Sequence, residues 1–192
     1  MNRTTLLLFT LFVEGGLYLV GLFLMGGSGA VRANFSLSWS GTFYALLLSL
    51  PMFAALYFAM RSKWKPLSEL RIELEEKVVP IFVNSNIVDL VLIALLAGAG
   101  EELFFRGWLQ GALSNRLRLW LGILIASAIF GFAHYLSFTY AIYAFITGIY
   151  LGVIYHLTGN LFVVMTIHGL YDFVALVVLV RQGKAKNAKP EI

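Results

Sequence analysis

No cysteine occurs in the chain, which excludes disulfides, thiolate zinc sites and a cysteine nucleophile while leaving the redox compartment open. Charge is scarce too: Asp, Glu, Lys and Arg make up 12% of 192 residues, against 60% hydrophobic, and mean hydropathy is +0.85. A soluble globular domain carries about twice that share of charge, so the composition describes a polytopic membrane protein instead. Neither half of the chain visibly repeats the other, which counts against a transporter built from inverted repeats. Only three histidines are present, and none forms a His-Glu-x-x-His spacing. The net charge of +4 falls on loops and tail, so it speaks to membrane orientation and not to nucleic acid.

What is present is apolar helix. Leu6 to Met25, preceded by Arg3 and ended by Gly26-Gly-Ser-Gly29, is long enough to span. Thr42 to Met60 reads as a second span, with Trp39 and Trp64 placed for the two interfaces and Pro51 expected to kink it. Over residues 67–82, Leu67, Leu70, Leu74 and Val78 recur at helical spacing opposite Glu69, Glu73 and Glu76, the pattern of a surface-lying amphipathic helix stopped by Pro80. Asn86 can cap a third span reaching about Leu113, with Asp89 completing a box-like arrangement; at roughly 40 Å it should tilt, bend or protrude. Leu119 to Tyr135, Phe138 to Tyr155 and Leu161 to Val180 follow.

The fold expected is an all-α membrane protein, a bundle of about six transmembrane helices around an intramembrane polar cavity. It forms a single integral membrane domain over 1–192: an N-terminal helical pair (1–66), the amphipathic segment (67–82), a core (86–181) and a basic tail (182–192). Six spans put both termini on one side. Ten Lys and Arg residues fall there, against Arg32, Arg116 and Arg118 opposite, which predicts cytoplasmic termini.

Within the apolar run Gly98 to Gly107 lie Glu101, Glu102 and Arg106. One ionised side chain at mid-membrane costs roughly 2.5 to 3.5 kcal/mol, so three together require a reason. Glu102 with Arg106, Phe130 with His134 and His168 with Asp172 are each four residues apart, hence on one helix face. Counted from the non-cytoplasmic span ends, Glu101, Glu102, His134, His168 and Asp172 fall at one depth, about 12 to 22 Å. Two adjacent carboxylates in a water-poor cavity do not both stay ionised. Arg106 pairs with Glu102, which leaves Glu101 as the candidate general base toward water and His134 as the second group on that water. His168 and Asp172 are candidates to bind or polarise a carbonyl oxygen, a role that needs a donated proton. Glu14, mid-span, reads as a carboxylate paired within the bundle, with a direct catalytic role as the alternative. His156 lies outside the layer and reads as interfacial. Gly107/Gly111 and Gly148/Gly152 are small-xxx-small patterns for close helix approach.

Glu101-Glu102-x-x-x-Arg106, Phe130-x-x-x-His134 and His168-x-x-x-Asp172, in that order, resemble the CAAX protease and bacteriocin-processing (CPBP, Abi-type) family of intramembrane glutamate endopeptidases. The resemblance covers about residues 86 to 181. It implies a water-accessible intramembrane cavity and glutamate-dependent peptide-bond hydrolysis. Glu101 would activate water with His134, His168 and residue 172 would bind the oxyanion, and Glu102 with Arg106 would support the site. Where the family usually shows Asn, this chain has Asp172, which donates only when protonated.

The function expected is therefore an intramembrane endopeptidase acting on a membrane-associated protein or peptide, in the cytoplasmic membrane of a bacterium or archaeon, with the lipid bilayer as surroundings and no nucleic-acid partner. A catalytically silent scaffold or peptide self-immunity protein of the same fold is the alternative, and a proton-linked transporter a third. No cofactor is required by the residues; zinc held by Glu101, His134 and His168 is the metal alternative.

Overall fold

Short polar side chains set where the helices begin. The side chains of Asn2, Ser38 and Asn86 accept hydrogen bonds from the backbone N–H of Thr5, Gly41 and Asp89 at 2.8, 3.0 and 3.0 Å, and Ser137 accepts from Tyr140 at 3.4 Å. At Asn86 the predicted capping box is complete, because Asp89 Oδ2 accepts in turn from the Asn86 N–H at 3.0 Å. Gly159 ends a long helix in the left-handed region, φ 59°, that favours glycine.

The computed structural model describes residues 2–187. Their helices are α1 (Arg3–Leu24), α2 (Ser28–Ala33), α3 (Trp39–Arg61), α4 (Lys65–Glu73), α5 (Val79–Phe82), α6 (Ile87–Glu102), α7 (Gly111–Arg116), α8 (Leu119–Ala133), α9 (Phe138–Thr158) and α10 (Leu161–Asn187). Two π-helical segments join neighbours, Leu74–Val78 between α4 and α5 and Leu103–Gln110 between α6 and α7. The protein is an all-α membrane bundle, with no strand among the described residues.

Four helices, α1, α3, α9 and α10, are long and apolar enough to cross a membrane. A fifth span is reached by counting 65–82 with 87–116, two helical stretches that meet at a bend of 110°. The six expected spans are thus corrected to four or five. The predicted fourth, α8, has 15 residues, about 22 Å at 1.5 Å per residue, short of a hydrocarbon core about 30 Å thick. Pro80 does not stop the surface segment. It occupies the first turn of α5, where a missing N–H costs little, and the helical path continues to Phe82. Pro51 lies inside α3, which continues through it. The start of the expected basic tail is helical, as α10 runs to Asn187; positions 188–192 lie outside the described residues.

α6 packs on α10 and α1, α10 also meets α3 and α9, and α8 lies along α9. Glycines allow the closest approaches. A Cβ at Gly98 would stand 2.7 Å from the Met165 carbonyl oxygen and 2.9 Å from the Gly169 nitrogen of α10. One at Gly100 would fall on the Glu14 carbonyl oxygen of α1. Leu103, Leu151, Leu161, Val164 and Ile167 form the buried core. Large apolar side chains such as Phe12, Phe23 and Phe132 point outward, which suits hydrocarbon surroundings.

Candidate active site

The site grows from the end of α6. Glu101 and Glu102 close that helix about 100° apart around its axis, so they face different neighbours. Glu102 turns to Arg106, whose Nη1 donates to Oε1 at 2.6 Å. The guanidinium also donates through Nη2 to the Gly148 carbonyl of α9 at 3.1 Å and lies 4.6 Å from the centre of the Phe130 ring. Gln110, one step further along the same face, donates to the Gly152 carbonyl at 3.0 Å. The small residues Gly148 and Gly152 thus do more than bring helices close: they expose carbonyls to Arg106 and Gln110. Gly111, by contrast, has nothing within 4 Å of an added Cβ, so close approach is not its role.

His168 comes from α10. Its Nδ1 lies 2.7 Å from Glu102 Oε1, so one carboxylate oxygen serves both Arg106 and His168. Its Nε2 lies 3.4 Å from Asp172 Oδ2. Glu102, Arg106 and His168 are all buried, with a side chain exposed by no more than 4%.

Glu101 faces the other way. Its Oε2 lies 3.5 Å from His134 Nε2 and has no hydrogen-bond partner. His134 caps the end of α8, on the Phe130 side as its four-residue spacing predicted. The ring stacks on Phe130 at 4.4 Å, and Nδ1 lies 2.9 Å from the Phe130 carbonyl. A carbonyl only accepts, so Nδ1 carries the proton and Nε2 of a neutral ring presents a lone pair toward Glu101. The side chains of His134 and Asp172 are 27% and 28% exposed, and they mark where the site opens.

All six predicted residues are therefore brought together, in two linked groups. His156 is exposed at the end of α9, away from them. The zinc alternative is not assembled: His168 turns its nitrogens to Glu102 and Asp172, and among the described residues no three His, Asp or Glu side chains are grouped to hold a metal. Three features escaped the sequence. The turns carrying Arg106 and Gln110 are π-helical, a form frequent at functional sites. Phe130 is a hub against which Arg106, His134, His168 and Phe105 all pack. Glu14, expected to be paired in the bundle, has a buried Oε2 with no partner. Of these only Glu14 left a signal, a lone carboxylate in an apolar run.

Residues 83–174 match the family described as Rce1-like, type II CAAX prenyl endopeptidase Rce1-like. That stretch begins just before α6, ends inside α10 and contains every residue of the paired network. Over that stretch the chain is similar to the Rce1-like family. YpbD, an uncharacterised protein of Bacillus subtilis (strain 168), is 38% identical over 96 residues, covering 49% of this chain and 47% of that one. The chain thus aligns with about half the length of this curated relative. No solved structure matches. α1 and α3 lie outside the matched stretch, although both pack on it.

Proposed function

We propose that the protein is a CAAX-type intramembrane endopeptidase that hydrolyses a peptide bond of a membrane-associated protein or peptide. The observation that carries this reading is the pair of acceptors 3.5 Å apart, Glu101 Oε2 and His134 Nε2, the latter fixed as an acceptor by the Phe130 carbonyl. A water molecule that donates one hydrogen to each is held with its lone pairs directed away from both, ready to attack a carbonyl carbon. As the new C–O bond forms, Glu101 takes the water proton. The charge that develops on the carbonyl oxygen is met by the N–H of His168 and by Asp172 in its protonated form. The proton then passes to the leaving nitrogen as the C–N bond breaks, giving a carboxylate and an amine. Arg106 and Glu102 hold His168 in place and do not touch the substrate. The Rce1-like match supports the reaction class, and the depth of the site in the bundle supports a substrate at the membrane.

Of the four or five crossings the proposed count is four, which puts both termini on one side, and the Lys and Arg bias supports the cytoplasm as that side. The membrane proposed is the cytoplasmic membrane of a bacterium or archaeon. Terminus-resolved proteomics of wild-type and Glu101→Ala strains tests the function: one membrane protein or peptide should lose its processed terminus in the variant. Identical termini in the two strains overturn the assignment.

The second reading, a catalytically silent scaffold or peptide self-immunity protein, is favoured by one observation. Asp172 Oδ2 faces His168 Nε2 and competes with substrate for that N–H. Under it, Glu101→Gln leaves the cellular phenotype intact while Gly148→Leu, which drives a side chain into Ser127, abolishes it.

A further inference from the structure

The stretch 65–82 is turned by 110° from 87–116, so α4 lies across the ends of the spans, at the membrane surface, as its amphipathic pattern predicted. Between α4 and the helices α3, α9 and α10 is a cavity of about 40 Å³, whose polar lining is Arg71, Tyr140, Tyr143 and Tyr171. Its donors outnumber its acceptors. Arg71 donates through Nη1 to the carbonyls of Met60 at 2.6 Å and Ser62 at 3.5 Å, which leaves Nε and Nη2 without an acceptor among the described residues. Tyr171 donates to Tyr143 at 3.0 Å, so the Tyr143 proton is free for another acceptor. The Tyr140 hydroxyl makes no hydrogen bond among the described residues.

A guanidinium edge with two unused N–H groups, flanked by phenol donors, is the arrangement that receives two oxygens of one anion. The charge around it has the same sign. Arg61, Lys63 and Lys65 are exposed on the corner between α3 and α4, and the bonds from Arg71 to Met60 and Ser62 hold that corner against the cavity. Among the described residues only Lys65 of these three has a carboxylate partner, Glu69 at 3.7 Å, and no carboxylate lines the cavity. Trp64, exposed on the same corner, suits the level of lipid headgroups.

We infer that this cavity binds the phosphodiester of an anionic phospholipid from the adjacent leaflet. Its volume admits the charged oxygens of a phosphate but not a whole headgroup, so the rest of the lipid lies outside. A lipid fits better than a soluble anion for two reasons. The remaining lining is aliphatic, with Leu56 of α3 and Leu67 of α4 offering contact to a glycerol backbone, and the cationic corner lies at the surface where anionic headgroups gather. The cavity also adjoins the open side of the candidate active site: Tyr140 meets the His134 ring edge-on at 6.4 Å, and Tyr171 immediately precedes Asp172. The lipid thus borders both exposed members of that site, although its binding requires no catalysis.

Native mass spectrometry of the full-length protein, released from detergent after titration with dioleoyl phosphatidylglycerol or dioleoyl phosphatidylcholine, tests this. Wild type should retain phosphatidylglycerol about tenfold more tightly than phosphatidylcholine. Arg71→Gln should weaken that retention about fivefold or more, and Tyr140→Phe combined with Tyr143→Phe, which keeps both rings, about threefold. Lys63→Gln, outside the cavity, should change it by less than about twofold. Equal retention of the two lipids, or equal retention of phosphatidylglycerol in wild type and both cavity variants, overturns the inference. Displacement of the lipid by millimolar inorganic phosphate or acetate, neither of which carries an acyl chain, overturns the lipid as occupant. Should Arg71→Gln fail to fold, because it also releases the Met60 carbonyl, the tyrosine variant carries the test alone. A protein that retains the lipid and cleaves nothing removes the protease reading alone, and an active protease that retains both lipids equally removes this inference alone.

Discussion

The two halves of the site are built on opposite terms. Glu102 engages two partners through one oxygen: Oε1 receives both Arg106 and His168, and the guanidinium is further held by a carbonyl and the Phe130 ring, while Oε2, like that of Glu101, has no partner. Around Glu101 the partners stop short, with His134 Nε2 at 3.5 Å and an oxygen left unpaired. Two short charged contacts fix geometry and oppose change, whereas a carboxylate without a close partner retains the capacity to take a proton. Under the proposed function, the difference gives adjacent, chemically identical residues the separate tasks of support and reaction.

The sharpest way to break this contrast is to remove one member from each half. Glu101→Ala and His134→Ala should each lower the turnover of the processed substrate by about 10³-fold, within the range for a general base, while thermal unfolding in detergent stays near wild type. Arg106→Ala should do the reverse. Glu102 is left buried and without its cation, and stability should fall by about 3 to 5 kcal/mol in denaturant titration, with activity lost through the fold. A smaller effect separates glycines that carry the site from those that do not. Gly98→Ala sets a methyl against the α10 backbone at 2.7 Å and should cost about 1 to 3 kcal/mol in the same titration. Gly111→Ala meets open space in a helix and should stabilise by about 0.5 to 1 kcal/mol. If Gly111→Ala proves as damaging as Gly98→Ala, the packing account of α6 fails.

Much of this was legible in the sequence because hydropathy and four-residue spacing are local. The helices α1, α3, α9 and α10, the Asn86–Asp89 box and the Glu102–Arg106 pair all follow from residues within a few turns of one another. The six site residues could be grouped because burial in lipid makes each ionisable side chain conspicuous. What could not be read was relational. Arg3 and Asp89 are 86 residues apart, and neither carries a mark naming the other. Glu14 was visible, but its place against Gly100 depends on how α1 packs on α6. That α8 ends at His134 was not legible either, because an apolar run does not show its last hydrogen bond. The π segment was hidden because Leu103 to Gln110 suit an α-helix equally well; only packing selects the wider turn.

That wider turn has a consequence for how the molecule is phased. A helix that remained α throughout would tie the direction in which Glu101 and Glu102 point to the direction in which Ser114 meets Gly122 of α8, at about 100° per residue. Leu103–Gln110 breaks the tie. It acts as a vernier between the two ends of one rod, allowing the carboxylates to be aimed at His134 and His168 while α7 is aimed independently at α8.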